Sequence, residues 1–183
     1  MTSFVKLRET SLYEGPVFTL MNVTFRDPDG HEFHRQLVRH RGAVAVVPLT
    51  DDDQVILVRQ YRGSIEAELL EIPAGLLDVP GESLEGAAAR ELREEIGMAA
   101  DSLERLGSVV PAPGMTDERI TIFAARGLRE VGTDLQGPEE RHMSVVRMPV
   151  AEALALTHSG VITDAKTIVG LHLLTGRSHI APR

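Results

Sequence analysis

An α+β fold, with a mixed sheet packed by helices and a small antiparallel sheet at the N-terminus, is what this 183-residue sequence predicts. Three observations carry the prediction. Extended stretches rich in strand formers come in pairs joined by acidic or Pro/Gly turns, the pattern of β-hairpins. Stretches with helical periodicity fall between and after them, so strands and helices interleave. Hairpins among the strands exclude a purely parallel sheet.

Residues 17–25, VFTLMNVTF, suit a strand, and Asp27-Pro28-Asp29-Gly30 is a turn before a second extended stretch at 32–39. An isolated hairpin is marginal and must be covered, so this one either extends the sheet of its own chain or packs on a second copy. The expected organisation is an N-terminal hairpin region, 1–40, and a main domain, 41–183. AVAVVPL at 43–49 and QVILVRQY at 54–61 flank the acidic turn Thr50-Asp51-Asp52-Asp53, a second strand pair. Glu71-Ile72-Pro73-Ala74-Gly75 then leads into a loop containing Pro80 and Gly81. Ser83 is placed to cap a helix running to Ile96, and Gly97 to end it. Strands are expected at 106–110, 120–125 and 142–148, with a glycine-containing irregular stretch between the last two, and helices at 151–157 and 165–174. The sequence contains no internal repeat or low-complexity segment.

The length suits one globular domain with at most a small appendage, and 43% hydrophobic residues are enough for an ordinary core. The first residues lack the pattern of a signal peptide, and no apolar run approaches the roughly 18 residues of a membrane span. A soluble protein is expected, without a membrane partner. The chain has no cysteine, which excludes disulfides and thiolate metal ligands and agrees with a cytoplasmic location. A net charge of −8 argues against nucleic acid as a partner, because phosphate backbones are met by clustered Lys and Arg. A small phosphorylated substrate stays open, since bound divalent cations reverse the local sign of an acidic site.

At about 100° per residue, Leu84, Ala88, Leu92 and Ile96 form one apolar stripe, and Glu91, Glu94 and Glu95 share an adjacent arc. Glu91 and Glu95 are a like-charge i,i+4 pair, unfavourable by a few tenths of a kcal/mol. A hard divalent cation would relieve that repulsion, and oxygen-only ligation favours Mg²⁺ or Mn²⁺ over zinc. Taken alone, the same pattern reads more often as a solvated acidic face in which Arg90 and Glu94 pair at i,i+4.

The surrounding residues change that balance. From Gly75 to Met98 the chain reads GLLDVPGESLEGAAARELREEIGM, which resembles the Nudix box, with Glu82, Arg90, Glu91, Leu92, Glu94, Glu95, Gly97 and Met98 at the family's positions. Six residues separate Gly75 from Glu82, one more than the family pattern has. The extra residue lies in the 79–81 loop, ahead of the helix, so the register of the three acids is unaffected and only the geometry around Gly75 and Glu82 is altered. The resemblance continues into the ADP-ribose pyrophosphatase branch. It is carried by LLEIPAGLLD before the helix, by Pro113 placed 16 residues after Gly97, by Ala112-Pro113-Gly114-Met115-Thr116-Asp117-Glu118-Arg119, and by GVITDAKTIVGLHLL at 160–174. It spans roughly residues 35–174.

The resemblance implies an α/β/α sandwich with a mixed sheet and Mg²⁺-dependent hydrolysis of ADP-ribose to AMP and ribose 5-phosphate, Mn²⁺ being a substitute. It implies that Glu82 and Arg90 brace the loop on the helix and that Glu91, Glu94, Glu95 and the backbone carbonyl of Ala74 hold metal. Arg62 would contact a substrate phosphate and Glu118 the terminal ribose. Arg35 would reach the diphosphate from the second subunit of a homodimer, and Glu71 would line the site. The general base would come from the stretch 132–141, as Glu139 or, one residue along, Glu140. Read as ordinary surface chemistry, Arg35 and Arg62 are strand arginines, Glu71 a brace for the Pro73 turn, and Glu139 and Glu140 solvated loop acids. Phe18 and Phe25 are available to stack on adenine, although aromatics in alternating strands usually join the core. The seven histidines show no metal-ligand spacing.

Another nucleoside diphosphate sugar such as GDP-mannose is the alternative substrate; the downstream signature of NADH-cleaving relatives is absent. A Nudix-derived sensor that binds nucleotide without cutting it would be expected to have lost box acids, which this chain keeps. A purely structural acidic domain leaves the box spacing unexplained.

Overall fold

The computed structural model describes residues 3–133 and 140–178, which divide into two compact units. The first contains the chain up to Gly42 together with Val110–Arg119. Its strands β1 (Val5–Glu14), β2 (Phe18–Arg26) and β3 (Glu32–His40) form an antiparallel sheet in the order β1-β2-β3. The hairpin read from the sequence is β2–β3, turned by Asp27, whose Oδ1 accepts from the backbone N–H groups of Asp29 and His31. Strand β1 is an addition that residue pattern did not announce. Its side chains are mostly exposed, so no apolar alternation marks it. Backbone pairing to β2 and the Arg39–Glu9 ion pair at 2.6 Å hold it in place. Arg39 also meets Asp117 at 3.1 Å, and Val38 donates to Met115 O, which ties Val110–Arg119 to β3.

The second unit holds Ala43–Val109 and the chain from Ile120 onward. Its elements are β4 (Ala43–Pro48), β5 (Gln54–Arg62), β6 (Ala67–Glu71), β7 (Ala74–Leu76), α1 (Leu84–Ile96), β8 (Met98–Val109), β9 (Ile120–Glu130), a 3₁₀ turn (Glu140–His142), β10 (Ser144–Pro149), α2 (Val150–His158) and α3 (Ala165–Ser178). One sheet has the order β10-β5-β6 and the other β7-β4-β9-β8. The β4–β9 pairing is parallel and the remaining pairs are antiparallel, so the expected mixed sheet is present.

Period-2 alternation explains the layering. Ala43, Ala45 and Val47 share one hydrophobic cluster with Leu57, Ile122 and, from α3, Leu171 and Leu174. Val44 and Val46 point the other way, into a cluster with Ile56, Phe123 and, from α1, Ala88, Leu92 and Ile96. The sheet is therefore buried on both faces between helices, the sandwich expected, and β4 is wholly buried. Both β8 and β9 run further than their local pattern suggested. Residues 98–104 contain Ala, Asp and Glu, which are poor strand formers, and antiparallel pairing with 124–130 overrides that preference.

Helix α1 has the predicted bounds for the predicted reasons. Ser83 Oγ accepts from Gly86 N–H at 3.0 Å, and Gly97 adopts φ 66°, a left-handed cap that glycine takes without Cβ strain. Among the described residues no helix is long and apolar enough to cross a membrane.

Candidate active site

Helix α1 presents Glu91 and Glu95 toward β7. Glu91 and Glu95 are 7% and 5% exposed, unusually buried for carboxylates, and Glu94 is partly covered. Glu95 Oε2 accepts from Ala74 N–H at 3.0 Å. Glu91 lies against Gly75: a Cβ added there would fall well inside van der Waals contact with the Glu91 carboxylate. Gly75 thus leaves room for the Glu91 carboxylate at its present position, and a Cβ there would move the end of that side chain. Gly75→Ala is expected to cost about 1–3 kcal/mol of stability as overpacking, read from a urea midpoint. A wild-type midpoint would show that Glu91 does not need this space.

Arg90 is the cation that Glu91 and Glu94 share. Its Nη1 donates to Glu91 Oε1 at 2.6 Å and Glu94 Oε2 at 3.0 Å, while Nη2 donates to Leu76 O at 3.1 Å and Glu82 Oε2 at 3.2 Å. The longer loop leaves the Glu82–Arg90 pairing in place, and the i,i+4 pair with Glu94 forms as well. Burial pushes the Glu91 carboxyl up to about 7, with the Arg90 charge opposing and Glu94 adding to the rise. A second positive charge beside Glu91 would oppose that rise.

The oxygen-only donor set of Glu91, Glu94, Glu95 and the Ala74 backbone suits a hard divalent cation. Glu91 and Glu94 meet at Arg90, however, while Glu95 takes Ala74 N–H. Among the described residues, the group whose ligand atoms already lie within 4.8 Å of one another is Asp27, Asp29 and His31, in the β2–β3 turn. There Asp27 Oδ1 is engaged by backbone N–H groups and the side chains of Asp29 and His31 are exposed, which accounts for the turn itself.

Arg62 and Glu71 are brought together by the β5–β6 ladder. Arg62 Nε and Nη2 donate to the two Glu71 oxygens at 2.7 and 2.8 Å, a bidentate pair. Glu71 is 1% exposed and also accepts from Lys166 Nζ, so both of its oxygens are engaged by cations. Burial alone would raise its pKa, and Arg62 and Lys166 hold it below the ordinary carboxylate value instead. Lys166 pairs in turn with Asp164 at 3.0 Å. Lys166, Asp164 and Thr167 escaped the sequence reading. Asp164 just ahead of an apolar-periodic stretch was a capping signal, but nothing local marks a lysine that pairs with a residue 95 positions earlier.

Arg35 and Glu118 belong to the first unit. Arg35 donates to His34 O and its guanidinium lies 4.8 Å from the Phe33 ring centroid. Phe25 stacks on Phe33, whereas Phe18 is 41% exposed. Glu118 N–H donates to Thr116 Oγ1, and its carboxylate stands 3.8 Å from His40 Nδ1. Glu139 lies outside the described residues, and Glu140 opens the 3₁₀ turn. A cleft of about 270 Å³ in the second unit, lined by Thr50, Asp51, Asp52, Met98, Glu130 and Arg147, includes none of the expected site residues.

The family model described as NUDIX domain matches residues 39–168. The chain is 39% identical over 168 residues to an ADP-ribose pyrophosphatase of Mycobacterium tuberculosis, covering 92% of this chain and 81% of that protein. It is 33% identical over 168 residues to an ADP-ribose pyrophosphatase of Bacillus subtilis, covering 92% and 90%. A solved structure of an ADP compounds hydrolase superposes with a TM-score of 0.81 at 30% identity, over 96% of this chain and 94% of the other.

Proposed function

The chain belongs to the Nudix family, and from that membership we propose that it hydrolyses the diphosphate linkage of ADP-ribose, giving AMP and ribose 5-phosphate. The observation that carries the proposal is the buried carboxylate set of α1, held against residues 74 and 75, in a chain similar over nearly its whole length to proteins named ADP-ribose pyrophosphatase. Glu91, Glu94, Glu95 and the Ala74 carbonyl are the residues that would hold Mg²⁺, or Mn²⁺ in its place. When bound, the cation neutralises diphosphate charge and makes an attacking water more acidic. Arg90 keeps its bonds to Glu82 and Leu76 O whether or not it gives up Glu91 and Glu94, so the acids are free to change partner without unpacking the loop.

Arg62 meets a substrate phosphate through the terminal nitrogen that Glu71 does not engage, and Glu71 fixes the direction of that guanidinium. Glu118 takes the terminal ribose. The water's oxygen attacks phosphorus, its proton passes to Glu139, and the phosphate–oxygen bond to the leaving phosphate breaks. Glu140 is the alternative acceptor. Glu139→Gln should lower kcat by about 10²–10⁴-fold, the range for losing a positioned base. Substitutions at 139 and 140 that each leave kcat within a factor of about two, well below that range, would place the base elsewhere.

A homodimer through the first unit completes the proposal, with Arg35 supplied from the second subunit. Phe4, Leu12, Tyr13 and Phe18 are exposed large hydrophobics on that unit, a composition that favours a covering partner. Light scattering is expected to give twice the chain mass. A fully active monomer at assay concentration would remove both the dimer and the reach of Arg35.

The substrate test is a panel of ADP-ribose, GDP-mannose and NADH with Mg²⁺, with products separated by chromatography. ADP-ribose should show the highest kcat/KM. Faster cleavage of GDP-mannose would reassign the substrate, and no cleavage of any member would favour a sensor.

A further inference from the structure

We infer that Thr167, backed by Asp164, is a positioning residue for the carboxylate site, its hydroxyl fixing the Ile72 amide and so the place where residues 74 and 75 meet Glu95 and Glu91. The inference rests on reading α1 as the cation site.

Residues 71–75 are held at every position by a different partner. Glu71 is paired with Arg62 and Lys166. Ile72 N–H donates to Thr167 Oγ1 at 2.8 Å, and Pro73 O accepts from Val46 N–H at 2.9 Å. Ala74 N–H goes to Glu95, and Gly75 abuts Glu91. The sheet ladder stops at Glu71 and resumes at Ala74, so Ile72 falls in the gap between two strands. Ile72 is 1% exposed, which leaves its amide without water, and a buried unpaired N–H is costly. Thr167, itself fully buried, supplies the acceptor.

The hydroxyl works in both directions. It accepts from Ile72 and donates to Asp164 Oδ2 at 2.5 Å. The same Oδ2 caps α3 by accepting Thr167 N–H at 2.9 Å, while Oδ1 takes Lys166 Nζ. The first turn of α3 therefore grips the strap twice, at the Glu71 side chain and at the Ile72 amide. Two and three residues further on, the same strap touches two of the metal-site acids. Packing alone would be met equally by valine, which has threonine's shape and neither its donor nor its acceptor.

Cation binding to the purified full-length chain, measured calorimetrically with Mn²⁺ and no nucleotide, tests this. Thr167→Val should weaken Mn²⁺ binding by about 10-fold or more, the scale for outer partners of metal ligands, and Thr167→Ser should restore it. In the wild-type chain, Mn²⁺ should slow amide exchange around Ile72 and at the start of α3 together, because coupling between sites is reciprocal. That measurement needs no substitution and stands even if Thr167→Val does not fold. Thr167→Val binding Mn²⁺ like wild type while Glu95→Gln binds weakly would overturn the inference and leave the metal reading intact. Exchange that slows at Ile72 with no change in α3 would overturn it equally. A wild-type chain that binds no Mn²⁺, or a Glu95→Gln chain that binds it normally, would overturn the metal reading and the inference with it.

Discussion

Glu95→Gln is expected to lower kcat by more than about 100-fold, comparable to removing one preorganised electrostatic group from an active site. The amide keeps the shape of the side chain and still offers an oxygen to Ala74 N–H, which donates to Glu95 Oε2 at 3.0 Å. What it loses is one of the negative charges proposed to attract the cation. The fold should survive, since the change also relieves the like-charge Glu91–Glu95 pair by a few tenths of a kcal/mol. A large fall in kcat at saturating Mg²⁺ with an unchanged melting temperature is the expected combination. Turnover close to wild type would remove Glu95 from the metal site.

Glu71→Gln should act through stability. Glu71 is nearly inaccessible and faces two cations, Arg62 and Lys166, of which Lys166 is itself buried. Removing one partner of a buried ion pair leaves uncompensated charge and typically costs about 3–5 kcal/mol. At about 2–4 °C per kcal/mol for a chain of this size, Tm should fall by roughly 6–20 °C. Lys166→Met in the Glu71→Gln background should recover part of the loss, because the remaining partner, Arg62, is 38% exposed and has solvent available. An unchanged Tm in the single variant would mean that Arg62 and Lys166 find other partners without penalty. No recovery in the double variant would mean that Lys166 contributes through its packing and its bond to Asp164.

The candidate site was legible where its chemistry is local. Helix α1 appears between Ser83 and Gly97 because capping and apolar periodicity act within a turn or two of chain. The register of Glu91, Glu94 and Glu95 follows from 3.6 residues per turn and survives a lengthened loop. The same holds for β4 and β5, whose alternating side chains sort themselves to opposite faces of the sheet. Strand β1 was not legible, since a strand exposed along most of its length has no apolar face to announce it.

By itself, then, the sequence determined the strands that line the core, the carboxylate helix and the family's box, all of them patterns read over a few consecutive residues. Which partner each charged group finds was decided by tertiary structure. Arg90 stands among the acids because residues 76 and 82 also hold its guanidinium. Glu71 meets Lys166, and Ile72 meets Thr167, each across 95 positions, because α3 packs into the core cluster that also holds Ile72. Pairings of that kind depend on where two separately formed elements are packed against each other, and no local periodicity encodes the distance between them.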